Sequence, residues 1–286
     1  MGILLEKPET IIKVFNNNVV LVSSEENNKE KILFAKGIGF AKKNGEKILK
    51  GTEIEKIFTI EENENIHNFK SIIERIDSDF FGICEEAIYE VSKKIKVELN
   101  ENIHIGLVDH LFLAVKRIKN NEIINNPFLV EIQTLYRKQY DLAQLVGNKI
   151  EKELKVKMPE DEIGFVAMHI HSAITNTGLS SNIRNNYIIN EITNYIEENL
   201  KIKIDRKSFD YARFITHIKF ALQRIVEKKP AKNDLKEVIK LGYRESYSLS
   251  KSVSQIIGNE LNTEVSEDEI AFLAIHIERF RMMLEK

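Results

Sequence analysis

Seven histidines stand in the chain: His67, His104, His110, His169, His171, His217 and His276. Imidazole ordinarily titrates near neutrality, so it can move a proton, bind a metal or accept a transferred group at physiological pH. Four of the seven recur at one spacing. An offset of 107 residues lays His110 over His217 and His169 over His276. Each of these four lies beside an apolar stripe, which lets one ring nitrogen face outward while a neighbour orients the other. The plain alternative for any one of them is a packed histidine with a satisfied hydrogen bond. Spacing alone does not separate these readings.

Other chemistries fit less well. His169 and His171 are two residues apart, which on a helix separates them by ~200° at ~100° per residue. Glu278 stands at the place of His171 in the second copy, and no cysteine cluster exists to complete a metal site. There is no G-x-S-x-G, and the single cysteine, Cys84, has no motif around it. Gly37-Ile38-Gly39 lacks the third glycine of a phosphate loop. These residues favour neither an enzyme nor a metal site, so no catalytic residue, metal or cofactor is expected.

The elements that must position the histidines are themselves repeated. DEIGFVAMHI (161–170) and DEIAFLAIHI (268–277) agree at seven of ten positions, and AVKRI (114–118) aligns with ALQRI (221–225). Tyr136-Arg137 aligns with Tyr243-Arg244, and Tyr140 with Tyr247. Two homologous domains follow. Both read as helical: Leu107, Leu111, Ala114, Val115 and Ile118 form an amphipathic stripe that Phe214, Ile218, Ala221, Leu222 and Ile225 repeat. Acids after Pro159 (Glu160, Asp161, Glu162) and after Ser266 (Glu267, Asp268, Glu269) suit the positive end of a helix dipole. Asn125-Asn126-Pro127 and Lys229-Pro230 read as breaks, and the polar segment 176–186 as the linker between copies.

The first 60 residues differ. Ile11–Phe15, Val19–Val22 and Ile32–Ala35 read as strands, Ile54–Ile60 as a strand that closes the sheet or as the lead into the next domain, Asn16-Asn17-Asn18 as a turn, and Asn44-Gly45 as a two-residue hairpin. So small a four-stranded sheet buries little core, which predicts pairing with a second copy. From Lys36 to Thr52 five lysines face one acid, Glu46. Asn18, Lys36, Gly37, Gly39 and Phe40 are candidates for RNA: lysines for phosphates, glycines for close backbone approach, an aromatic ring for stacking. The competing reading is a plain hairpin with Phe40 in its core.

Bulk properties limit the class. The 286 residues are 43% hydrophobic and 30% charged with a net charge of -2, as in a globular chain of two or three domains. No apolar run reaches the ~20 residues of a membrane span, so no membrane insertion is expected. The start MGILLEKPET lacks the features of a signal peptide and Cys84 has no internal partner, so a reducing cytoplasm is expected.

The combination NNNVVLV (16–22), AKGIGFAKKNG (35–45), VDHLFLAVKRI (108–118) and the paired DEI…HI segments resembles the BglG/LicT transcription antiterminators over essentially the whole chain after residue 10. NIHIGLVDH (102–110), NPFLVEIQTLY (126–136) and EIGFVAMHIHSAITN (162–176) look most like the glucose-type, GlcT-like branch. The resemblance implies a small antiparallel β RNA-binding domain (1–65), then two homologous all-α, helical-bundle regulation domains of the sugar phosphotransferase system (66–178 and 179–286). It implies a homodimer that binds an RNA hairpin overlapping a terminator and is phosphorylated by HPr and a sugar-specific enzyme II. It carries over Lys13, Asn18, Lys36, Gly37 and Phe40 as RNA contacts and His110, His169, His217 and His276 as phosphorylation sites. Ala35 departs from the glycine that many members have there. Arg117 and Arg224, seven residues after His110 and His217, are assigned equally to packing and to phosphate neutralisation. The alternative function is a phosphorelay-controlled interaction module that does not bind RNA.

Overall fold

The computed structural model describes residues 2–24, 29–229 and 231–282. Pro230, part of one expected break, lies outside the described residues. The N-terminal region forms a five-stranded antiparallel sheet ordered β5 (Lys47–Ile48), β2 (Glu9–Val14), β3 (Val19–Ser24), β4 (Glu30–Phe34), β7 (Lys56–Thr59). A two-stranded ribbon pairs β1 (Ile3–Leu4) with β6 (Glu53–Ile54). Among the described residues the four expected strands thus become seven short ones. Asn44-Gly45 does not join a hairpin. Gly45 has φ +88° and donates its N–H to Ile11 O at 2.8 Å, so the turn feeds β5 onto β2.

The run Val19–Val22 is buried at every residue, because the sheet is covered on both faces. One face holds Ile11, Val20, Val22, Leu33, Ala35, Ile48 and Ile54. The other is closed by helices of the same chain: Phe15 stacks on Phe81 at 4.3 Å between ring centroids, and Phe58 tilts against His104 at 4.5 Å. The core that a small sheet lacks alone is supplied here by helices, each buried aliphatic contributing about 1.5–3 kcal/mol.

Two compact units divide the chain: residues 1–127 with 138–178, and residues 128–137 with 179–286. The first carries the sheet with α1 (Asn63–Arg75), α2 (Ser78–Lys94), α3 (Ile103–Lys119), α5 (Arg137–Leu154) and α6 (Glu160–Thr175). The second carries α4 (Leu129–Leu135), α7 (Leu179–Leu200), α8 (Phe209–Val226), α9 (Lys236–Gly242), α10 (Arg244–Leu261) and α11 (Glu267–Arg281). The starts of α2, α8 and α11 are capped by side chains: Asp77 accepts from Asp79 N and Phe80 N, Ser208 from Tyr211 N, Ser266 from Glu269 N.

The expected linker 176–186 is mostly helix. Asn176, in the left-handed region at φ 53°, ends α6, and α7 already begins at Leu179. Asn182 and Asn186 lie one turn apart on the buried face with Ile189 and Thr193, so packing overrides their weak helix propensity.

The duplication is not used symmetrically. α4 and α9 are sequence equivalents at the 107-residue offset, yet α9 packs on α10 and α11 of its own repeat while α4 packs on α8. Glu131 of α4, buried, accepts from Tyr211 Oη and from Arg206 Nη1 at 3.4 Å, and Lys219 lies 4.1 Å from the Tyr136 ring centre. The place of Glu131 is taken by Val238 in α9, which is exposed.

Candidate phosphorylation sites and nucleic-acid interface

α3 and α6 bring the first histidine pair together. His110 and His169, 59 residues apart in sequence, have ring centroids 5.2 Å apart. His110 Nε2 lies 3.2 Å from Glu162 Oε2, near enough for charge pairing but misaligned for a hydrogen bond. Glu162 is 1% exposed and is clamped by Arg117, whose Nη2 donates at 2.8 and 3.2 Å and whose Nε donates at 3.2 Å. Burial opposes the charge on Glu162, but His110 and Arg117 outweigh it and hold the carboxyl below its ordinary value. Burial, then the charge of His110, pushes His169 down to about 3. Gly106 makes room for that ring, since a Cβ there would lie 3.3 Å from His169 Nδ1. Asp109, beside His110 in sequence, turns away to pair with Arg75.

α8 and α11 build the second pair on the same plan. His217 and His276 lie 4.4 Å apart between centroids. Arg224 holds Glu269 through Nε–Oε1 at 2.6 Å and Nη2–Oε2 at 2.7 Å. Burial, then His217, takes His276 down to about 4, and burial, Arg224 and Arg279 lower His217. Here the copies diverge. Arg213 and Arg279 add positive charge around the second pair, where the first copy has Gly106 and Ser172. Arg279 is anchored to Asp210 at 3.3 Å.

Chemically, each site offers an imidazole kept neutral at pH 7, His169 in the first and His217 and His276 in the second, whose lone pair can attack, beside a fixed guanidinium able to meet a new anionic group. The four histidines assigned from the repeat are thus gathered into two pairs. Glu162 and Glu269 went unrecognised as site residues, having been read only as helix-dipole acids. Their identity at equivalent positions of both copies was the available signal. Asp161 and Asp268, their neighbours, instead tie down the breaks by accepting from Asn126 N at 2.8 Å and Asn233 N at 3.2 Å.

At the sheet, Asn18 and Gly37 are joined: Gly37 N donates to Asn18 Oδ1 at 3.0 Å, with Gly37 at φ +75°. Gly39 packs so closely that a Cβ would lie 2.2 Å from Asn16 O, which makes it structural. Phe40 is 70% exposed and is not part of the core, and Lys36 and Gly37 beside it are exposed as well. The other two candidates are turned inward. Lys13 Nζ donates to Ile73 O of α1, and Asn18 Nδ2 donates to Glu86 Oε1 of α2 at 3.0 Å.

With this geometry in view, the chain matches two known families. The CAT RNA binding domain matches residues 10–67, and the PRD domain matches residues 85–173 and again 190–280. Fold and sites define a transcription antiterminator with an RNA-binding sheet domain and two PRD regulatory domains. Within that class the chain belongs to the GlcT family. It is 35% identical over 273 residues to Protein GlcT of Staphylococcus haemolyticus, covering 95% of each chain. It is 33% identical over 278 residues to the GlcA/glcB genes antiterminator of Staphylococcus carnosus, covering 96% of this chain and 97% of that protein. A crystal structure of GlcT CAT-PRDI superposes with a TM-score of 0.51 at 39% identity, covering 59% of this chain and 99% of that one. No helix among the described residues is long and apolar enough to cross a membrane.

Proposed function

We propose that phosphoryl groups placed on His110, His169, His217 and His276 by HPr and a sugar-specific enzyme II switch this antiterminator, and that the operon it controls encodes a glucose-type permease. The domains divide as 1–65, 66–178 and 179–286, and the working form is a cytoplasmic homodimer without catalytic activity. Lys13, Asn18, Lys36, Gly37 and Phe40 contact a partly unpaired RNA hairpin that overlaps a terminator. The observation that carries the switch is the duplicated pairing of two histidines with an Arg–Glu clamp, built from residues equivalent across the repeat. A phosphoryl group adds about -2 charge where a buried carboxylate already pairs with the imidazole, so it competes for the arginine and repels the acid. Moving a two-state equilibrium from mostly off to mostly on takes ~5.5 kcal/mol, which two such events in a symmetric dimer can supply.

The test is phosphorylation of the full chain with phosphoenolpyruvate, its kinase and HPr, with and without the permease, followed by mapping of acid-labile phosphate. His110→Ala should leave antitermination on without sugar. A variant that stays repressible by sugar starvation overturns the assignment of the first site.

A further inference from the structure

The carboxylate of Glu86 sits in the middle of the expected RNA-binding edge. Its Oε1 accepts from Asn16 Nδ2 and from Asn18 Nδ2, each at 3.0 Å, and its Oε2 pairs with Lys149 of α5 at 2.6 Å. Burial works against the charge on Glu86, but Lys149, Asn18 and Asn16 together hold its carboxyl below its ordinary value. The contact is tightly fitted: a Cβ on Gly82 of α2 would lie 2.5 Å from Asn16 Nδ2 and 3.0 Å from Asn16 Cβ, so with asparagine at position 16 a glycine lets the helix approach the turn. Stacked rings flank it, Phe15 on Phe81 at 4.3 Å and Phe34 on Tyr89 at 3.8 Å. Lys13 is spent on a carbonyl of α1. An acid that receives two amide donors and a lysine is offering what an RNA phosphate or base edge would offer.

We propose that Glu86 is an autoinhibitory latch, a carboxylate that occupies the Asn18 amide in place of RNA and keeps this edge of the sheet closed until it separates from α2. This rests on the assignment of Lys13 and Asn18 as RNA contacts. It makes the described arrangement the RNA-refractory one. Lys36, Gly37 and Phe40 stay exposed beside the latch and supply an initial contact, but the full set is complete only after Asn18 and Lys13 leave the helices. The same helices lead to the first histidine pair: α2 packs on α3, which carries His110, and the Arg75–Asp109 pair ties the end of α1 to the residue before His110.

The experiment uses the full chain and a fluorescein-labelled bulged RNA hairpin enriched on it by in-vitro selection, with duplex DNA as the control. Glu86→Ala should bind the hairpin at least ~10-fold more tightly than the parent, the loss of charged hydrogen bonds favouring the open form. An Asn16→Cys/Gly82→Cys pair, whose Cβ atoms start 3.0 Å apart and must part by ~0.5 Å to reach disulfide spacing, should lose hairpin binding when oxidised and recover it with dithiothreitol. The oxidised–reduced comparison is made within one folded protein, so it does not depend on how well the variant folds relative to the parent. Equal binding by the oxidised and reduced forms overturns the latch alone. Absence of hairpin preference in every form, Glu86→Ala included, overturns the RNA-contact assignment and the latch with it.

Discussion

Arg224 and Glu269 face each other fork to fork, Nε on Oε1 at 2.6 Å and Nη2 on Oε2 at 2.7 Å, across 45 residues of sequence. Arg117 and Glu162 repeat the contact across the same 45 residues, although there Nη2 shares both oxygens. In each copy the carboxylate is nearly fully buried and the arginine half-buried. A buried carboxylate of this kind is tolerable only while its partner is present.

Removing the arginine should therefore cost more than removing both partners. Arg224→Leu is expected to destabilise the chain by ~3 kcal/mol, leaving Glu269 uncompensated, whereas Arg224→Leu/Glu269→Leu should recover much of that loss. Urea unfolding of the two variants checks this. A double variant no more stable than the single one contradicts it.

The divergence of the second site has its own consequence. Arg279 is three residues beyond His276, on the same helical face, and the first copy has serine there. Arg279→Ser should slow phosphoryl uptake at His217 and His276 severalfold and leave uptake at His110 and His169 unchanged. Site-resolved phosphate mapping after timed incubation with HPr reads the difference.

Stability should fall with acid earlier than carboxylates alone would cause. His169 and His276 have folded pKa values of about 3 and about 4, below the ordinary 6.5. Their neutral burial thus contributes stability that is fully present above pH 6.5 and is lost as pH falls toward those values. The slope is at most ~1.4 kcal/mol per pH unit for each histidine. Glu162, whose folded pKa lies below 4.5, adds a loss only in more acid solution. Unfolding midpoints between pH 7.5 and pH 5 should drop in the parent and drop less in His169→Leu.

Phe40 is exposed, so Phe40→Ala should leave the melting temperature nearly unchanged. Its effect belongs to RNA, where loss of one stacked base costs about 1–3 kcal/mol. Lys36→Ala should instead lower the slope of log affinity against log salt by about 1. Anisotropy titrations at several salt concentrations separate the two.

Gly39→Ala is expected to disturb the loop that presents Phe40, because its Cβ would meet the backbone oxygen of Asn16 at 2.2 Å. A destabilisation of ~1–3 kcal/mol follows from overpacking of this kind. Gly37→Ala meets no neighbour but must hold φ +75°, so its cost is conformational and smaller. Melting curves that rank the two in the opposite order count against this account.

What the sequence determined by itself was whatever local period and duplication encode. The stripe around His110, its copy around His217, and the offset joining DEIGFVAMHI to DEIAFLAIHI sufficed for two helical repeats and four matched histidines. Spacing within a helix cannot say which distant side chain lies opposite, so Glu162 passed for a dipole acid until α6 packed on α3 beside Arg117. Only tertiary structure sent α4 to α8 while its twin α9 stayed home, a choice made by the buried partners of Glu131. Only tertiary structure also set Glu86 against Asn18, 68 residues away, because a contact across that distance depends on two surfaces meeting and leaves no period in the chain.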